Sequence, residues 1–214
     1  GRTVFVAGRF FTVAGQPRGN LASVDFDSGL ATDWSPDPDD AVRRLSLSGS
    51  TLYVGGDFSS IAGQPRSGVA ALHSEVKVAL DWVPAVVGRQ LRTLTVNGDR
   101  ILASSDMRLD SKQRRRLAAL DQRTGRVLDW NPGADNAVFT LAYADNTVFM
   151  GGDFLSIGDV PRARIAAVDA ASGQPFPWNA NTTGPNGRVW ALAISHGRLH
   201  VAGGFSSISG SFSP

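Results

Sequence analysis

Apolar and polar residues alternate along short stretches of the chain, and residues that favour turns separate these stretches. The pattern is clear in LASVDFDSGLATDW (21–34), which returns as LAALDQRTGRVLDW (117–130) and IAAVDAASGQPFPW (165–178). Alternation with a period of two between turn residues is typical of β-hairpins. A second hairpin, AVRRLSLSGSTLYV (41–54), also recurs, with two-residue turns such as Ser48-Gly49. The pattern predicts an all-β chain.

One copy of the first hairpin departs from the others. In VAALHSEVKVALDW (69–82), His73 replaces the aspartate before the turn and Lys77 replaces the glycine within it. Both replaced residues are favoured in turns. We therefore expect a distorted turn in this copy.

Two residue types recur at the same interval in four successive repeats of the sequence. A tryptophan recurs every 48 residues, and an arginine stands sixteen residues before each one; the pairs are Arg18 and Trp34, Arg66 and Trp82, Arg114 and Trp130, and Arg162 and Trp178. Each period supplies four short strands, A to D, and no helix. A repeat of four strands with this period predicts a β-propeller of ~48-residue, four-stranded blades.

The repeat predicts where the blades begin and end. Three complete blades cover 41–84, 89–132 and 137–180, while 3–36 supplies strands B to D of a partial blade and 188–210 supplies strands A and B of another. Because both partial blades contain a B strand, they do not combine into one complete blade. We expect a segment of a larger ring, and a five-bladed ring with one incomplete blade is the alternative.

Composition narrows the function classes only slightly. The 214 residues carry a net charge of +2 and no cysteine, which excludes disulfides and thiolate metal sites. No apolar run approaches the ~18 residues that a membrane span requires. Nothing resembles a single-stranded nucleic-acid site with interleaved aromatic and basic residues. The sequence contains no signal peptide, so we expect that one was removed, lies upstream or never existed.

The repeated phrases resemble a known family. The phrase V-G-G-D-F-x-S-I-x-G-x-P-R, followed by L-A-A-L-D-x-x-T-G-x-x-x-x-W-N-P, is similar to secreted bacterial β-propeller repeats of a domain of unknown function. The hairpins more distantly resemble kelch and quinoprotein blades. The resemblance implies an extracellular bacterial propeller without an established general activity. It weakens at Arg9, at Gly204 and over 103–107, where the phrase is altered.

The regular columns are interpreted as structural, because a residue that recurs in every blade usually packs or ties one blade to another. A buried indole contributes up to about 5 kcal/mol through its apolar area. An arginine can bind a carboxylate and carbonyls together, which suits the anchoring of a long loop. These structural positions are the four tryptophans, the four arginines, Asp57 and Asp153.

Binding residues are expected where the repeat is broken. Asp37, Asp39 and Asp40 form an acidic D–A loop near Asp33, and clustered carboxylates are the ligands that Ca2+ prefers. Their spacing fits no known Ca2+ loop, and a solvated turn is the simpler interpretation. No other cofactor or metal site is indicated.

A basic cluster occupies the third B–C loop and would suit a phosphate, an acidic polysaccharide or an acidic protein surface. Its members are Arg108, Lys112, Arg114, Arg115 and Arg116. In a propeller the B–C and D–A loops emerge on one face, so both irregular loops are expected together.

Catalytic motifs are missing from the sequence. His73, His196 and His200 are the only histidines, and neither a metalloprotease helix, a Gly-x-Ser-x-Gly phrase nor a P-loop occurs. We expect a secreted or surface-displayed binding or scaffold module for a protein or carbohydrate partner. The alternative is a carbohydrate-active propeller enzyme with paired acids from different blades, and a third possibility is an architectural module within a larger protein.

Overall fold

A computed structural model of the chain describes residues 2–84, 91–105, 116–184 and 186–208. Within these ranges every regular element is a β-strand, and no helix occurs that is long and apolar enough to cross a membrane. The strands, in chain order, are β1 (Thr3–Ala7), β2 (Thr12–Val13), β3 (Gln16–Pro17), β4 (Leu21–Asp25), β5 (Val42–Ser48), β6 (Thr51–Gly56), β7 (Ser60–Ile61), β8 (Gln64–Pro65), β9 (Val69–His73), β10 (Leu91–Asn97), β11 (Arg100–Ser105), β12 (Leu117–Asp121), β13 (Val138–Ala144), β14 (Thr147–Gly152), β15 (Ser156–Ile157), β16 (Val160–Pro161), β17 (Ile165–Asp169), β18 (Thr182–Thr183), β19 (Val189–Ser195), β20 (Arg198–Gly203) and β21 (Ser207–Ile208).

Antiparallel sheets follow the repeat. Three have the orders β5-β6-β9, β10-β11-β12 and β13-β14-β17, and shorter ones at the two ends of the chain have the orders β1-β4 and β19-β20. We call these five sheets the first to the fifth in chain order: β1-β4, β5-β6-β9, β10-β11-β12, β13-β14-β17 and β19-β20. The expected outermost strand is reduced to one bridge, as in Leu72↔Ala79. Two backbone hydrogen bonds flank that bridge, and the chain then leaves the sheet to place its tryptophan.

The inner strands β5, β10, β13 and β19 lie side by side in chain order. Hydrogen bonds join neighbouring inner strands: the Ser46 hydroxyl accepts from the Val96 amide, and the Thr140 hydroxyl accepts from the Leu192 amide, both at 3.2 Å. The sheets therefore radiate from a common line of inner strands and pack face to face.

The core lies between consecutive sheets rather than inside any one of them. One cluster joins Leu21 and Trp34 of the first sheet to Val54 and Phe58 of the second. Burial depends on this stacking: Leu52 in the second sheet is 1% exposed, whereas Val4, the residue 48 positions earlier, is 42% exposed. A strand in this fold is buried on both faces only when sheets cover both sides.

Close backbone approach explains the paired glycines at the ends of β6 and β14. A Cβ on Gly56 would lie 2.1 Å from the carbonyl oxygen of Ala41, and one on Gly55 would lie 2.1 Å from the Leu91 side chain. The absence of a side chain on the first glycine lets the inner strand of the next sheet pack closely. The absence of one on the second glycine lets the inner strand of the same sheet pack closely. In the third sheet a serine replaces the first glycine, and Ser104 donates to the Val138 carbonyl at 2.8 Å.

The turn after β9 differs from its counterparts, as the sequence predicts. In the third sheet, Asp121 accepts from the Thr124 amide at 2.6 Å, and Gly125 at φ 73° closes the turn. In the second sheet, the His73 imidazole takes the place of the carboxylate and accepts from the Glu75 amide at 3.1 Å. Four consecutive bends then replace the regular turn.

The repeated tryptophans lie between sheets. Trp34, Trp82 and Trp130 are 5%, 4% and 3% exposed. Their indole N–H groups donate to a main-chain carbonyl at the end of the third strand in the next sheet, on His73, Asp121 and Asp169 at 3.1, 3.3 and 3.2 Å. Each of these indoles therefore both fills the interface and fixes its register.

Removal of one such indole should destabilise the propeller strongly. We expect Trp82→Ala to lower the free energy of unfolding by about 3–5 kcal/mol because it leaves a cavity between the second and third sheets. Trp82→Phe should cost less, about 0.5–1.5 kcal/mol for the lost indole hydrogen bond, because the Asp121 carbonyl keeps its bond from the Gly125 amide. Urea unfolding measures both effects.

The matched control is Trp190→Ala, since Trp190 is 60% exposed. A change within about 0.5 kcal/mol is expected there. Similar unfolding midpoints for Trp82→Ala and Trp190→Ala would contradict the interfacial role of Trp82.

Candidate functional site

The sheets have two ends of different character. Tight turns join the first to the second strand and the third to the fourth at one end, which we call the turn end. Longer connections emerge at the other end, which we call the loop end. The loop end carries the short hairpins β2-β3, β7-β8 and β15-β16 within the B–C loops, together with the acidic D–A loop.

The repeated arginines anchor the B–C loops to their own sheets. Arg18, Arg66 and Arg162 each donate to a main-chain carbonyl fourteen residues later, on Thr32, Leu80 and Phe176 at 2.6, 3.0 and 2.7 Å. Each also donates to the carbonyl of the proline that precedes it, at 2.7–2.8 Å. Arg66 and Arg162 are 9% and 8% exposed, so both side chains are buried and their hydrogen bonds are internal to the fold.

Asp39 ties the D–A loop to the B–C loop of the second sheet. Its carboxylate accepts from the Ser59 amide at 2.7 Å and the Ser60 amide at 3.0 Å, and also from the Ser59 hydroxyl. Partial desolvation raises the pKa of Asp39, but these hydrogen bonds outweigh it and lower the pKa to about 2. Asp135 holds the Leu155 amide of the fourth sheet in the same way at 2.8 Å.

The other two acids of the predicted acidic loop serve separate local bonds. Asp37 accepts from the Ser35 hydroxyl at 2.6 Å, and Asp40 forms an ion pair with Arg9 at 2.9 Å. Across the described residues no group of three or more acidic or histidine side chains is placed to hold a metal ion. The three carboxylates of this loop therefore serve three different local contacts.

The basic cluster is described only in part. Arg108, Lys112, Arg114 and Arg115 lie outside the described residues, as does Asp106. Arg116 has a left-handed backbone at φ 68°, and its carbonyl accepts from the Ser105 amide at 3.1 Å. Arg116 therefore marks the point at which this loop rejoins the third sheet at the loop end.

Asp57 and Asp153 pair with arginines other than the repeated ones. Asp57 accepts from the Arg43 Nε at 2.9 and 3.1 Å, and Asp153 lies 3.1 Å from Arg188. Arg164 approaches Asp153 at 3.8 Å. The Arg43 and Arg188 pairs tie the ends of β6 and β14 to the inner strands β5 and β19.

Four side chains near the starts of the four inner strands form a row that the sequence analysis did not identify. Each strand carries a β-bulge at its first residues, and the bulged residue is Arg43, Arg92, Phe139 or Trp190. We call these four residues the inner row. Bulges redirect side chains and often occur beside functional sites. The available signal was this column, which changes from arginine to aromatic while the residue before it stays apolar.

Several aspartates lie at the turn end of the sheets. A cleft of about 640 Å3 between the second and third sheets is lined by Asp81, Asp99 and Asp121 among others. Hydrogen bonds from the turn lower the pKa of Asp121, as they lower the pKa of Asp25 and Asp169 in the equivalent turns. A glycosidase acid requires a raised pKa, whereas the pKa values of Asp25, Asp121 and Asp169 are displaced downward.

Comparisons with known proteins define the class. The family model for a domain of unknown function (DUF5122), a beta-propeller, matches residues 51–74. A search of curated proteins gave no match. The fold and the match over 51–74 show that the described chain is an all-β propeller segment, as the sequence predicts.

Solved structures share this fold at low identity. A chain of the mitotic checkpoint complex is 16% identical with a TM-score of 0.60, over 87% of this chain and 53% of that one. BamB from Moraxella catarrhalis is 17% identical with a TM-score of 0.57, over 94% of this chain and 58% of that one. An extracellular domain from B. thetaiotaomicron is 13% identical with a TM-score of 0.56, over 85% of this chain and 22% of that one. The chain therefore spans less than two thirds of each of these structures.

The low pKa of Asp39 predicts how the loop end responds to acid. A carboxyl whose pKa falls from 3.8 to about 2 on folding stabilises the folded state above pH 4. That contribution disappears as the pH falls from about 4 to 2. Asp39 is largely exposed, so we expect about 1 kcal/mol after allowance for solvent screening. The protection of the Ser59 and Ser60 amides from hydrogen exchange, expressed relative to the intrinsic exchange rate at each pH, should fall over this range.

Asp159→Asn serves as the control for Asp39→Asn, because Asp159 is an exposed acid in the B–C loop of the fourth sheet. Asp39→Asn should remove the acid-dependent change in exchange at Ser59 and Ser60, and Asp159→Asn should keep it. Equal acid dependence in both variants would show that Asp39 does not anchor the loop.

Proposed function

We propose that this propeller is a rigid binding or scaffold module that presents its loop end to a protein or carbohydrate partner, in a secreted or surface-displayed protein. The observation that carries the proposal is the anchoring of the loops. Arg18, Arg66 and Arg162 hold B–C loops on their sheets, and Asp39 and Asp135 hold D–A loops against B–C loops. A preorganised surface loses little conformational entropy when it binds.

The chemistry of the loop end supports recognition rather than catalysis. Its acids are engaged as hydrogen-bond acceptors or ion-pair partners, in Asp39, Asp40, Asp57 and Asp153. A carboxylate that is fixed in this way orients the loops. The inner row adds one exposed basic and one exposed aromatic side chain, Arg43 and Trp190, and both types are common in binding surfaces.

The neighbours with known structures are consistent with this role. One is a chain of a protein complex, and another is an extracellular domain. Their identity to this chain is too low to transfer a partner, since fold does not specify function. The partner must therefore be sought through the surface of this chain.

Charge reversal at the loop end tests the proposal. The double variant Arg115→Glu and Arg116→Glu changes the third B–C loop, and Arg123→Glu with Arg126→Glu makes the same charge change at the turn end of the same sheet. The immobilised chain would be presented to an array of acidic and neutral polysaccharides and to surface proteins of bacterial cells.

We expect the loop-end variant to lose captured partners by about tenfold or more, because several charged contacts reverse sign. The turn-end variant should capture them like the unmodified chain. Equal loss in both variants would indicate nonspecific charge attraction. Unchanged capture by the loop-end variant would exclude the basic loop from the binding surface.

A further inference from the structure

His73 occupies the acceptor position of a turn that an aspartate holds in other sheets. In the third sheet the Asp121 carboxylate accepts from the amides two and three residues later, at 3.1 and 2.6 Å. In the second sheet the His73 Nδ1 accepts from the amides at the same two positions, on Glu75 and Val76, at 3.1 and 3.4 Å. The imidazole therefore replaces a carboxylate as the acceptor of this turn.

These two bonds fix the protonation state that the turn requires. A neutral imidazole has one N–H donor and one acceptor nitrogen, so acceptance at Nδ1 places the hydrogen on Nε2. A protonated imidazole has N–H groups at both positions and accepts no hydrogen bond. The neutral Nε2–H form of His73 is therefore the form that can hold both amides.

The main chain of His73 is held independently of its imidazole. Its amide donates to the Val78 carbonyl at 3.0 Å, and its carbonyl accepts from the Trp34 indole at 3.1 Å. The side chain is half-buried and residues 75–78 are exposed, so solvent reaches the turn. Because the main chain is fixed, a proton on Nδ1 forces the imidazole and the two amides apart.

Charged side chains stand on His73's own sheet and on both sheets packed against it. They are Glu75, Lys77 and Asp81 on the second sheet, Asp25 and Asp33 on the first, and Asp99, Asp121 and Arg123 on the third. Acids outnumber bases in this set, so the surroundings do not repel a positive charge on His73. Loss of the acceptor is therefore the main effect of protonation on the turn.

We propose that residues 74–78 form a pH-sensitive turn, which opens when His73 is protonated while the aspartate-held turns stay closed. Histidine is the side chain that ordinarily changes charge between about pH 5 and 8. The bonded form is the neutral one, so the two bonds are present at the upper end of this range and are lost as the pH falls through it. In the third sheet, the bonds from Thr124 hold the pKa of Asp121 below its usual value, so that turn persists over the same range.

Other hydrogen bonds confine the change to the turn. The Leu80 amide donates to the Ala71 carbonyl at 2.8 Å, and neither group involves the imidazole. The residues that follow the turn, Leu80, Asp81 and Trp82, line the cleft between the second and third sheets. Acid therefore alters the rim of this cleft without loosening its walls. The element lies at the turn end and is independent of the binding function proposed for the loop end.

Nuclear magnetic resonance of the labelled chain tests the proposal in two steps. At about pH 8, where the imidazole is neutral, long-range proton–nitrogen spectra should show Nδ1 of His73 as the nitrogen without a hydrogen. Between about pH 7.5 and 5.5, protection of the Glu75 and Val76 amides from exchange, relative to the intrinsic rate at each pH, should fall about fivefold, as expected for one lost hydrogen bond. Protection at Arg123 and Thr124, the matched amides of the third sheet, should stay constant.

Substitutions then assign the effect to His73. His73→Asp should abolish the fall in this window, because a carboxylate remains an acceptor down to about pH 4. His200→Asn is the matched control, since His200 is an exposed histidine on β20. It should leave the fall at Glu75 and Val76 unchanged. Circular dichroism and the Tm establish that each variant is folded.

Several outcomes would overturn the proposal. A hydrogen on Nδ1 at the higher pH would show that the imidazole does not accept from the turn, and constant protection at Glu75 and Val76 would show that the turn does not open. An equal fall at Arg123 and Thr124, or at Leu80, would indicate a general effect of acid. A fall that persists in His73→Asp would assign the titration to another group. If that variant does not fold, the measurements on the unmodified chain decide.

Discussion

Contact between consecutive sheets is the constraint on which the rest of the propeller depends. No single sheet has a hydrophobic interior of its own, so each must bury its faces against its neighbours. The tryptophans add a specific hydrogen bond to each of these apolar interfaces. Each of Trp34, Trp82 and Trp130 packs in one interface and donates its indole N–H to a carbonyl of the next sheet. The indole therefore supplies apolar area and register together.

The use of a main-chain acceptor makes the interface tolerant of sequence change. In two copies Trp82 and Trp130 donate to the carbonyl of an aspartate, whereas Trp34 donates to the carbonyl of His73. The side chain at this position can change because the bond does not use it. The same logic applies to the repeated arginines, which donate to carbonyls of Thr32, Leu80 and Phe176. Backbone acceptors thus let the repeat diverge without loss of the fold.

The loop end follows from this arrangement. Because the sheets are fixed by their faces and tryptophans, the loops contribute little to the main core and are instead held by local hydrogen bonds. Asp39 shows the limit of reasoning from charge alone. The sequence places it in an acidic cluster suited to binding, whereas the structure shows its carboxylate engaged with Ser59 and Ser60. The sequence does not single out Arg43 and Trp190, because the β-bulges at these two positions arise from strand pairing.

The sequence by itself determined the all-β propeller fold and the distorted turn at His73. Both depend on local rules, namely alternation with a period of two, turn residues and a 48-residue repeat that each blade expresses in its own residues. The tertiary structure alone decided which charges pair and which side chains meet. Asp57 pairs with Arg43 rather than with Arg66. The Arg92 guanidinium of the third sheet lies over the Phe139 ring of the fourth sheet. Such contacts depend on how sheets stack and where bulges redirect side chains, and neither is encoded in the spacing of residues along the chain.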